Sequence, residues 1–444
     1  VEQKKKVFIE TYGCQMNFSD SEIVGSILLE NDYIPAADMK TADLILMNTC
    51  SIRDNAEQRV RKRLSELHSL KRKNPSLVIG ILGCMAERLK DKLLEEEKHI
   101  DLIVGPDGYR SLPKLLEQVE SGQKAINTLL SIDETYADIN PVRLSGSGIT
   151  AFISIMRGCE NFCAYCVVPY TRGKERSRNP RSIVDEAINL YAQGFREITL
   201  LGQNVNSYLW NEEGSLTDFP GLLRQVAGTH PEMRVRFATS HPKDLSDNLL
   251  KVMADFDNVC KAIHLPVQSG SSRMLSLMNR SYSREWYMER VEAIRRILPD
   301  CSISTDIITG FCGETEEDHQ ETLSMMRWAE YDYAYMFKYS ERPNTIAAKK
   351  YRDDVPEEVK SSRLDEIIAL QQELSLKSNR DDIGKVFCVL AEGTSKRSVN
   401  HLFGRNSQNK VVVFEKENNK PGDYVNVKIE SCSAATLKGT VIQT

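Results

Sequence analysis

The chain has 444 residues, 41% of them hydrophobic and 27% charged, with a formal net charge of −5. That length suits about three domains, and the composition suits folded globular cores, excluding a disordered or fibrous chain. No apolar run approaches the ~18 residues of a membrane span, and the mildly acidic balance does not by itself mark a nucleic-acid binder. The start, Val1-Glu-Gln-Lys-Lys-Lys6, leads into a strand pattern without a signal peptide. Eleven cysteines in such a chain read as metal ligands or free thiols of a reducing compartment, so a cytoplasmic location with no membrane partner is expected.

Residues 1–120 alternate strand and helix. Strand-like runs are Val7–Tyr12, Leu44–Met47, Leu77–Leu82 and Ile100–Val104, with helical patterns at Ser19–Asn31, Asn55–Arg72 and Met85–Lys98 between them. This is the pattern of a doubly wound parallel sheet, whose functional groups gather outside the carboxyl ends of the strands. Cys14, Cys50 and Cys84 each follow one of the first three strands, 34–36 residues apart. Three unrelated core thiols would explain them singly. Their equivalent places on successive strands point instead to one three-cysteine site, a ligand short of four.

Residues 121–145 read as a polar linker, ending near Ser145-Gly-Ser-Gly148. From 146 to 355 the alternation resumes, with strands expected at Thr150–Met156, Glu197–Leu201, Arg234–Ala238, Ala262–Leu265, Ser302–Ile307 and Tyr335–Tyr339. Six β/α units suggest a partial barrel with its active face at the carboxyl ends of the strands. The loop after the first of these strands carries Cys159, Cys163 and Cys166 at C-x3-C-x2-C spacing. Structural zinc takes four ligands, usually in pairs. Three thiols with no fourth nearby suit an iron–sulfur cubane with one open iron, on which a small molecule can bind and react.

Residues 356–380 read as a charged helical linker. Residues 381–444 change to short β runs, 385–390, 410–414, 423–429 and 437–442, which predict a small all-β barrel. Arg405, in Leu402-Phe-Gly-Arg-Asn406, is expected in an exposed basic–aromatic loop suited to single-stranded RNA, against the alternative of a structural cap. Local charge is net +5 over residues 50–73, +4 over 157–181 and +3 over 379–444. Each patch alone reads as a solvated face; three together favour a polyanionic partner. Cys260, Cys301, Cys312, Cys388 and Cys432 share no spacing and read as small core residues, with Cys312 the one placed to approach a barrel mouth. Neither a zinc-protease H-E-x-x-H pattern nor a P-loop is present.

The run Arg157-Gly-Cys-Glu-Asn-Phe-Cys-Ala-Tyr-Cys166 resembles that of radical S-adenosylmethionine (SAM) enzymes. With the second triad and the β-rich tail, nearly the whole chain resembles the radical SAM methylthiotransferases: a methylthiotransferase N-terminal domain, a radical SAM (β/α)6 core and a TRAM-type RNA-binding barrel. Thr11-Tyr-Gly-Cys-Gln-Met-Asn17 and Asn48-Thr-Cys-Ser-Ile-Arg-Asp54 are similar to the branch that modifies N6-isopentenyladenosine 37 of tRNA. The resemblance implies two [4Fe-4S] clusters. Cys159, Cys163 and Cys166 would hold the one that binds and cleaves SAM, and Cys14, Cys50 and Cys84 an auxiliary one that presents sulfur, for methylthiolation at C2 of the adenine.

It also implies cofactor contacts from Gln203 and Asn204 in Gly202-Gln-Asn-Val205, from Gln268 in His264-Leu-Pro-Val-Gln-Ser269, from Thr309 and Gly310 in Asp306-Ile-Ile-Thr-Gly310, and from Tyr165 beside the adenine. Each of these is equally a strand-end residue that only shapes its loop. Arg172, Lys174, Arg176 and Arg178 would contact tRNA phosphates or the cofactor carboxylate. Implied partners are a tRNA anticodon stem-loop and a cytosolic electron donor, with the enzyme a monomer. The alternatives are the same chemistry on another tRNA adenosine or a ribosomal protein side chain, and a non-catalytic metal- or cluster-bearing RNA-binding module.

Overall fold

The computed structural model describes residues 4–51, 54–144 and 148–442. Ile52 and Arg53 of the second cysteine motif, and Ser145–Ser147 at the end of the expected linker, lie outside the described residues. Packing divides the chain into two units. The first comprises Val1–Ser145, Ser154–Asn161 and Cys166–Ser182; the second comprises Gly146–Ile153, Phe162–Tyr165 and Ile183–Thr444.

In the first unit, β1 (Lys5–Thr11), β2 (Tyr33–Pro35), β3 (Leu44–Thr49), β4 (Val78–Gly83), β5 (Leu102–Val104) and β6 (Ala125–Asn127) form one sheet in the order β2-β1-β3-β4-β5-β6. Every neighbouring pair is parallel. Helices α1 (Gln15–Leu29), α2 (Asp54–Lys73), α3 (Cys84–Leu89), α4 (Asp91–Glu96) and α5 (Leu112–Glu120) cover both faces. Strand side chains alternate between the two cores. Leu44 and Leu46 pack with Val24 and Leu28 of α1 and Leu112 and Leu116 of α5. Ile45 and Met47 pack with Val60 and Leu64 of α2, Met85 of α3 and Leu93 of α4. Burial on both faces is why the strands read as nearly continuous apolar runs. The strand order reverses between β1 and β3, which opens a crevice at their carboxyl ends.

Two edge strands, β2 and β6, escape the sequence pattern because each has only three residues. β6 lies inside the stretch expected to be linker. Tyr136 of that stretch is also buried, stacked beside Tyr109.

The second unit carries the strands β7 (Thr150–Ser154), β10 (Glu197–Leu201) and β13 (Arg234–Ala238) in one sheet and β14 (Ala262–His264), β15 (Ser302–Thr309) and β16 (Tyr333–Lys338) in another. A parallel bridge between Val235 and Val259 links the two sheets, so the six β/α strands run in chain order as a partial barrel. The short strands β8 (Met156–Arg157) and β9 (Arg176–Ser177) and helix α6 (Val168–Arg172) belong to the first unit. Helix α7 (Pro180–Ala192) follows, the β11 (Leu209–Glu212) and β12 (Ser215–Asp218) hairpin precedes α8 (Phe219–Ala227), and α9 (Asp247–Asp255), α10 (Ser272–Leu277), α11 (Arg284–Ile297), α12 (Glu316–Ala329) and α13 (Ile346–Lys350) complete the layer. Five of these helices start on a Ser or Asp cap or a capping box: Asp218, Ser246, Ser271, Ser283 and Thr315 each accept a backbone N–H three residues on. Each such cap contributes about 1 kcal/mol.

Helix α14 (Glu357–Arg380) is one continuous helix, and it is packed rather than a bare linker. Lys360, Arg363, Ile367, Gln371, Leu374 and Asn379 form its buried stripe, at the helical period. Gln371 donates to the Tyr331 carbonyl at 2.8 Å. The tail is a closed barrel, β17 (Val386–Thr394), β18 (His401–Arg405), β19 (Val411–Glu415), β21 (Leu437–Val441) and β20 (Tyr424–Cys432).

The loop 405–410 of that barrel sits at the amino ends of the core strands. Arg234 donates to the carbonyls of Arg405 (2.7 Å) and Cys388 (2.6 Å). Arg236 donates to that of Asn406 (2.8 Å), and Ser302 Oγ to that of Gln408 (2.7 Å). Among the described residues no helix is long and apolar enough to cross a membrane.

Candidate functional site: two cysteine triads

Cys14, Cys50 and Cys84 stand at the carboxyl ends of β1, β3 and β4, three neighbouring strands of the first unit. Register carries them there: Thr11 pairs with Asn48, and Thr49 with Gly83. A buried polar layer fixes the three ends. Cys14 Sγ donates to Asn17 Oδ1 (3.2 Å), and Asn17 Nδ2 donates to Asn48 Oδ1 (3.1 Å) and the Thr49 carbonyl (3.2 Å). Thr49 Oγ1 donates to the Leu82 carbonyl at 2.7 Å. Gly83 has φ +87°, and a Cβ there would lie 2.4 Å from Asn48 Oδ1, so only glycine fits the turn into Cys84.

The charge around this triad is unusual. The Cys14 thiol is lowered to about 6, first by its hydrogen bond with Cys50, against the effect of burial and helped by the Arg172 charge. Burial pushes the Cys84 thiol up, opposed by Arg172. The guanidinium of Arg172 is gripped by Asp20, Nη2 to Oδ2 at 2.8 Å. Asp20 also accepts from Arg157 Nη1 at 2.8 Å, and Asp107 accepts from Arg176 Nη2 at 3.0 Å. Burial opposes ionisation of Asp20, yet Arg157 and Arg172 hold its carboxyl below the ordinary range.

This overturns one expectation. Arg172, Arg176 and Arg178 are buried, because Asp20, Asp107 and backbone carbonyls of Ser154 and Ser182 take up their donors. They are not a surface for tRNA phosphates; of that group Lys174 alone is exposed. Arg405 is likewise not in a free loop. It ends β18, its neighbour Gly404 packs against the Leu390 backbone, and its side chain lies 3.7 Å from Glu392. The alternation of Leu402 and Gly404 inward signals a strand, masked by the glycine.

The second triad follows β7. Cys159 belongs to the first unit, where its amide donates to the Gly173 carbonyl at 3.1 Å and Asn161 Nδ2 donates to its sulfur at 3.5 Å. Gly158 has φ +81°, and a Cβ there would lie 1.9 Å from the Lys174 carbonyl oxygen. Cys166 belongs to the same unit and is half-buried. Cys163 belongs to the second unit and is buried. Arg280 Nη1 donates to Cys163 Sγ at 3.3 Å and reaches the Tyr165 hydroxyl at 3.5 Å. Arg280 Nη2 is anchored on the Pro266 carbonyl at 2.9 Å. The amide of Ala164 donates to Met278 (2.8 Å), and Ala164 accepts from Ala347 (2.7 Å).

The other predicted contacts divide. Gln203 and Gln268 each carry a buried Oε1 with no hydrogen-bond partner among the described residues. Gln268 is held at φ +72° with its amide on the Asp306 carbonyl. Asn204 is engaged at both ends: Nδ2 donates to Asp244 (2.6 Å) and Oδ1 accepts from the His241 amide (3.1 Å). Thr309 Oγ1 and the Gly310 amide both donate to Glu314 Oε1, at 3.4 and 2.8 Å. Asn204, Thr309 and Gly310 are thus tied into their own strand-end loops. On β14 and β15, His264 lies 3.0 Å from Ser304 Oγ and 3.4 Å from Asp306 Oδ1, with Tyr335 edge-on to its ring. Sequence reasoning assigned no role to Asp20, Asp107 or Arg280. The arginine partners of Asp20 and Asp107 and the cysteine partner of Arg280 are distant in the chain, and nothing local marks them.

Among the described residues no three His, Cys, Asp or Glu side chains are grouped as the ligands of a single metal ion. The case for cluster ligation rests on the donor set. Each triad offers three thiols, one triad holds a thiol lowered towards neutrality beside a buried cation, and the other has an arginine donating to sulfur. Cationic surroundings and N–H donors to sulfur are what a thiolate cluster requires.

Family models match residues 6–105 (the uncharacterized protein family UPF0004), 153–326 (the radical SAM superfamily) and 380–442 (the TRAM domain). The fold resembles the radical SAM methyltransferase TsrM of Kitasatospora setae, with a TM-score of 0.58 at 14% identity, covering 78% of this chain and 74% of that one. It also resembles the cobalamin-dependent radical SAM enzyme OxsB, with a TM-score of 0.55 at 12% identity, covering 83% of this chain and 56% of that one. The class is thus a radical SAM superfamily enzyme, flanked by a doubly wound N-terminal domain and a TRAM barrel; that superfamily uses SAM and a [4Fe-4S] cluster.

The family can be given more narrowly. The chain is 60% identical over 98% of its length to the tRNA-2-methylthio-N(6)-dimethylallyladenosine synthase of Phocaeicola vulgatus, covering 96% of that protein. It is 58% identical over 99% to that of Bacteroides fragilis and 55% over its whole length to that of Porphyromonas gingivalis, covering 96% of each. The chain belongs to the tRNA-2-methylthio-N(6)-dimethylallyladenosine synthase family.

Proposed function

We infer that this enzyme methylthiolates C2 of N6-dimethylallyladenosine at position 37 of tRNA, with a cluster on each triad. The observation that carries the reading is the pair of open triads in a chain so close to synthases of that name. Cys159, Cys163 and Cys166 would hold the cluster that binds SAM, and Cys14, Cys50 and Cys84 the auxiliary one. When bound, these groups supply a carbon radical able to take an unreactive purine hydrogen, and the sulfur that replaces it.

The chain's own residues do the positioning. Arg280 orients Cys163 by donating to its sulfur. The bare Oε1 atoms of Gln203 and Gln268 are acceptors for the ammonium or hydroxyl groups of a bound SAM, since a buried acceptor without a donor costs free energy until one arrives. Lys174 and the exposed lysines and arginines of the tail supply positive charge for the anticodon stem-loop. A one-electron donor of the cytoplasm completes the partners, and the enzyme acts as a monomer.

Anaerobically reconstituted enzyme, given reductant, SAM and tRNA bearing the dimethylallyl group, is expected to form 5′-deoxyadenosine and the 2-methylthio nucleoside in step. Cys163→Ala should abolish both products. Cys14→Ala should abolish the methylthio product. Thiolation of unmodified adenosine 37 or of a ribosomal protein, with none on the dimethylallyl substrate, would overturn the substrate assignment. Zinc in place of iron and sulfide, with no SAM binding, would favour the non-catalytic module.

A further inference from the structure

A buried charge cluster beside the first triad does not balance. Arg157, Arg172 and Arg176 are all buried, and two buried carboxylates, Asp20 and Asp107, face them. Buried charges are ordinarily paired or coordinate a metal, so three cations against two anions leave positive charge without a partner. Of the surrounding groups, the thiols of Cys14 and Cys84 are the ones that face the guanidinium of Arg172. Tyr109 and Tyr136 are neutral neighbours, with Tyr109 Oη 3.4 Å from Asp20 and the Tyr136 ring 4.9 Å from the Arg157 guanidinium. Arg157 Nη2 and Arg176 Nη2 spend further hydrogen bonds on the carbonyls of Pro106 and Arg172, both at 3.1 Å.

Arg157 Nε, Arg176 Nε and Arg172 Nη1 each lack a hydrogen-bond partner among the described residues, and of these three arginines Arg172 is the one facing the thiols of the triad. Its Nη2 is bound to Asp20 at 2.8 Å, while its buried Nη1 has no hydrogen-bond partner among the described residues. Arg172 ends α6, and α6 packs on α3, the helix that begins at Cys84. The guanidinium therefore lies beside the thiols of Cys84 and Cys14. A cluster held by three thiolates is a net anion with sulfur acceptors, the complement of this excess charge and free N–H.

We propose that Arg172, aimed by Asp20, is a positioning residue for the auxiliary site: its Nη1 donates to a sulfur of the group bound by Cys14, Cys50 and Cys84, and its charge offsets that group's negative charge. This rests on the auxiliary-cluster reading above. Hydrogen bonds to cluster sulfur and nearby positive charge both favour the reduced state. Asp20 keeps Arg157 when Arg172 is replaced, so the carboxylate is not stranded.

The test uses the full chain carrying Cys159→Ala, Cys163→Ala and Cys166→Ala, so that only the first triad can hold iron. It is reconstituted anaerobically with iron and sulfide and titrated potentiometrically by electron paramagnetic resonance. Arg172→Gln is expected to retain its iron and sulfide but to titrate at a more negative potential, while Arg172→Lys stays near the parent. Loss of iron from Arg172→Gln alone, with Arg172→Lys retaining it, would also support the role. Equal potentials at equal iron content in the parent and Arg172→Gln would overturn it and leave the auxiliary cluster standing. Loss of iron from both variants would overturn it in favour of a purely architectural arginine. A parent that takes up no iron would overturn the auxiliary-cluster reading and this proposal together.

Discussion

Asn17 and Asn48 exchange hydrogen bonds across 31 residues of chain: Asn17 Nδ2 donates to Asn48 Oδ1 at 3.1 Å, and Asn48 Nδ2 returns one to the Asn17 carbonyl at 2.8 Å. Both are wholly buried. Asn48 is the last residue but one of the strand that leads to Cys50, and Asn17 accepts from the thiol of Cys14. The pair is thus the tie between two of the three strand ends on which the triad is built.

Asn48→Ala should destabilise the first unit by about 2 kcal/mol or more, because a buried donor or acceptor left unpaired costs ~1–3 kcal/mol. It takes one partner each from Asn17 Nδ2, the Asn17 carbonyl and Ser21 Oγ, and leaves a gap where the buried amide stood. The urea midpoint should fall, and iron uptake in the chain lacking the second triad should fall with it. An unchanged midpoint would show the pair to be ornamental.

Gly83→Ala attacks the same rim through the backbone. Its φ of +87° is unfavourable for alanine, and the added Cβ would lie 2.4 Å from Asn48 Oδ1 and 2.7 Å from the Thr49 carbonyl oxygen. Such strain costs about 1–3 kcal/mol. The expected result is a lower melting temperature and a lower iron stoichiometry at the first triad, with the second triad's iron unaffected. Retention of full iron at both would contradict the close packing described.

Arg236 carries the third prediction. It is buried, with Nε 2.8 Å from Glu197 Oε2, and it also holds the Asn406 and Ser407 carbonyls of the tail. Removing one member of a buried ion pair costs about 3–5 kcal/mol because its partner is left charged and unmatched. Arg236→Leu should lower the urea midpoint and expose the loop 405–410 to protease. Adding Glu197→Leu should recover part of the loss, since the two positions are coupled.

The domain pattern was legible because its signals are local and periodic. The bounds of β10, β13 and α12 agree with their apolar runs and caps, and the strand-end cysteines stand out by spacing. What could not be read depends on long-range pairing. The arginines of residues 157–181 look like a solvated basic patch until Asp20 and Asp107, fifty residues away at the least, are brought beside them. Gly404 hides a strand as a loop, because its closeness to the Leu390 backbone has no sequence signal. Cys163 is easily found as a ligand candidate; its partner Arg280 is 117 residues on, in a stretch that reads only as a helix end.

The last prediction concerns acid. His241 is buried at the end of the β13 loop, where its Nδ1 accepts from the Lys243 amide at 3.3 Å and Tyr282 stands edge-on to its ring. Burial first, then the charges of Arg280 and Lys243, depress it from an ordinary 6.5 to about 2. The folded chain therefore keeps this imidazole neutral while the unfolded chain protonates it below about 6.5. The unfolded state binds the extra proton, so stability falls as pH drops through that value, by up to ~1.4 kcal/mol per pH unit from this one group. Above it the group contributes no pH dependence. His241→Gln keeps an acceptor for the Lys243 amide but cannot titrate. The unfolding free energies of parent and variant should run parallel from neutral to alkaline pH and converge below about 6.5, as urea titrations at a series of pH values would record; curves that stay parallel into acid would mean His241 is solvated and protonates in the folded state.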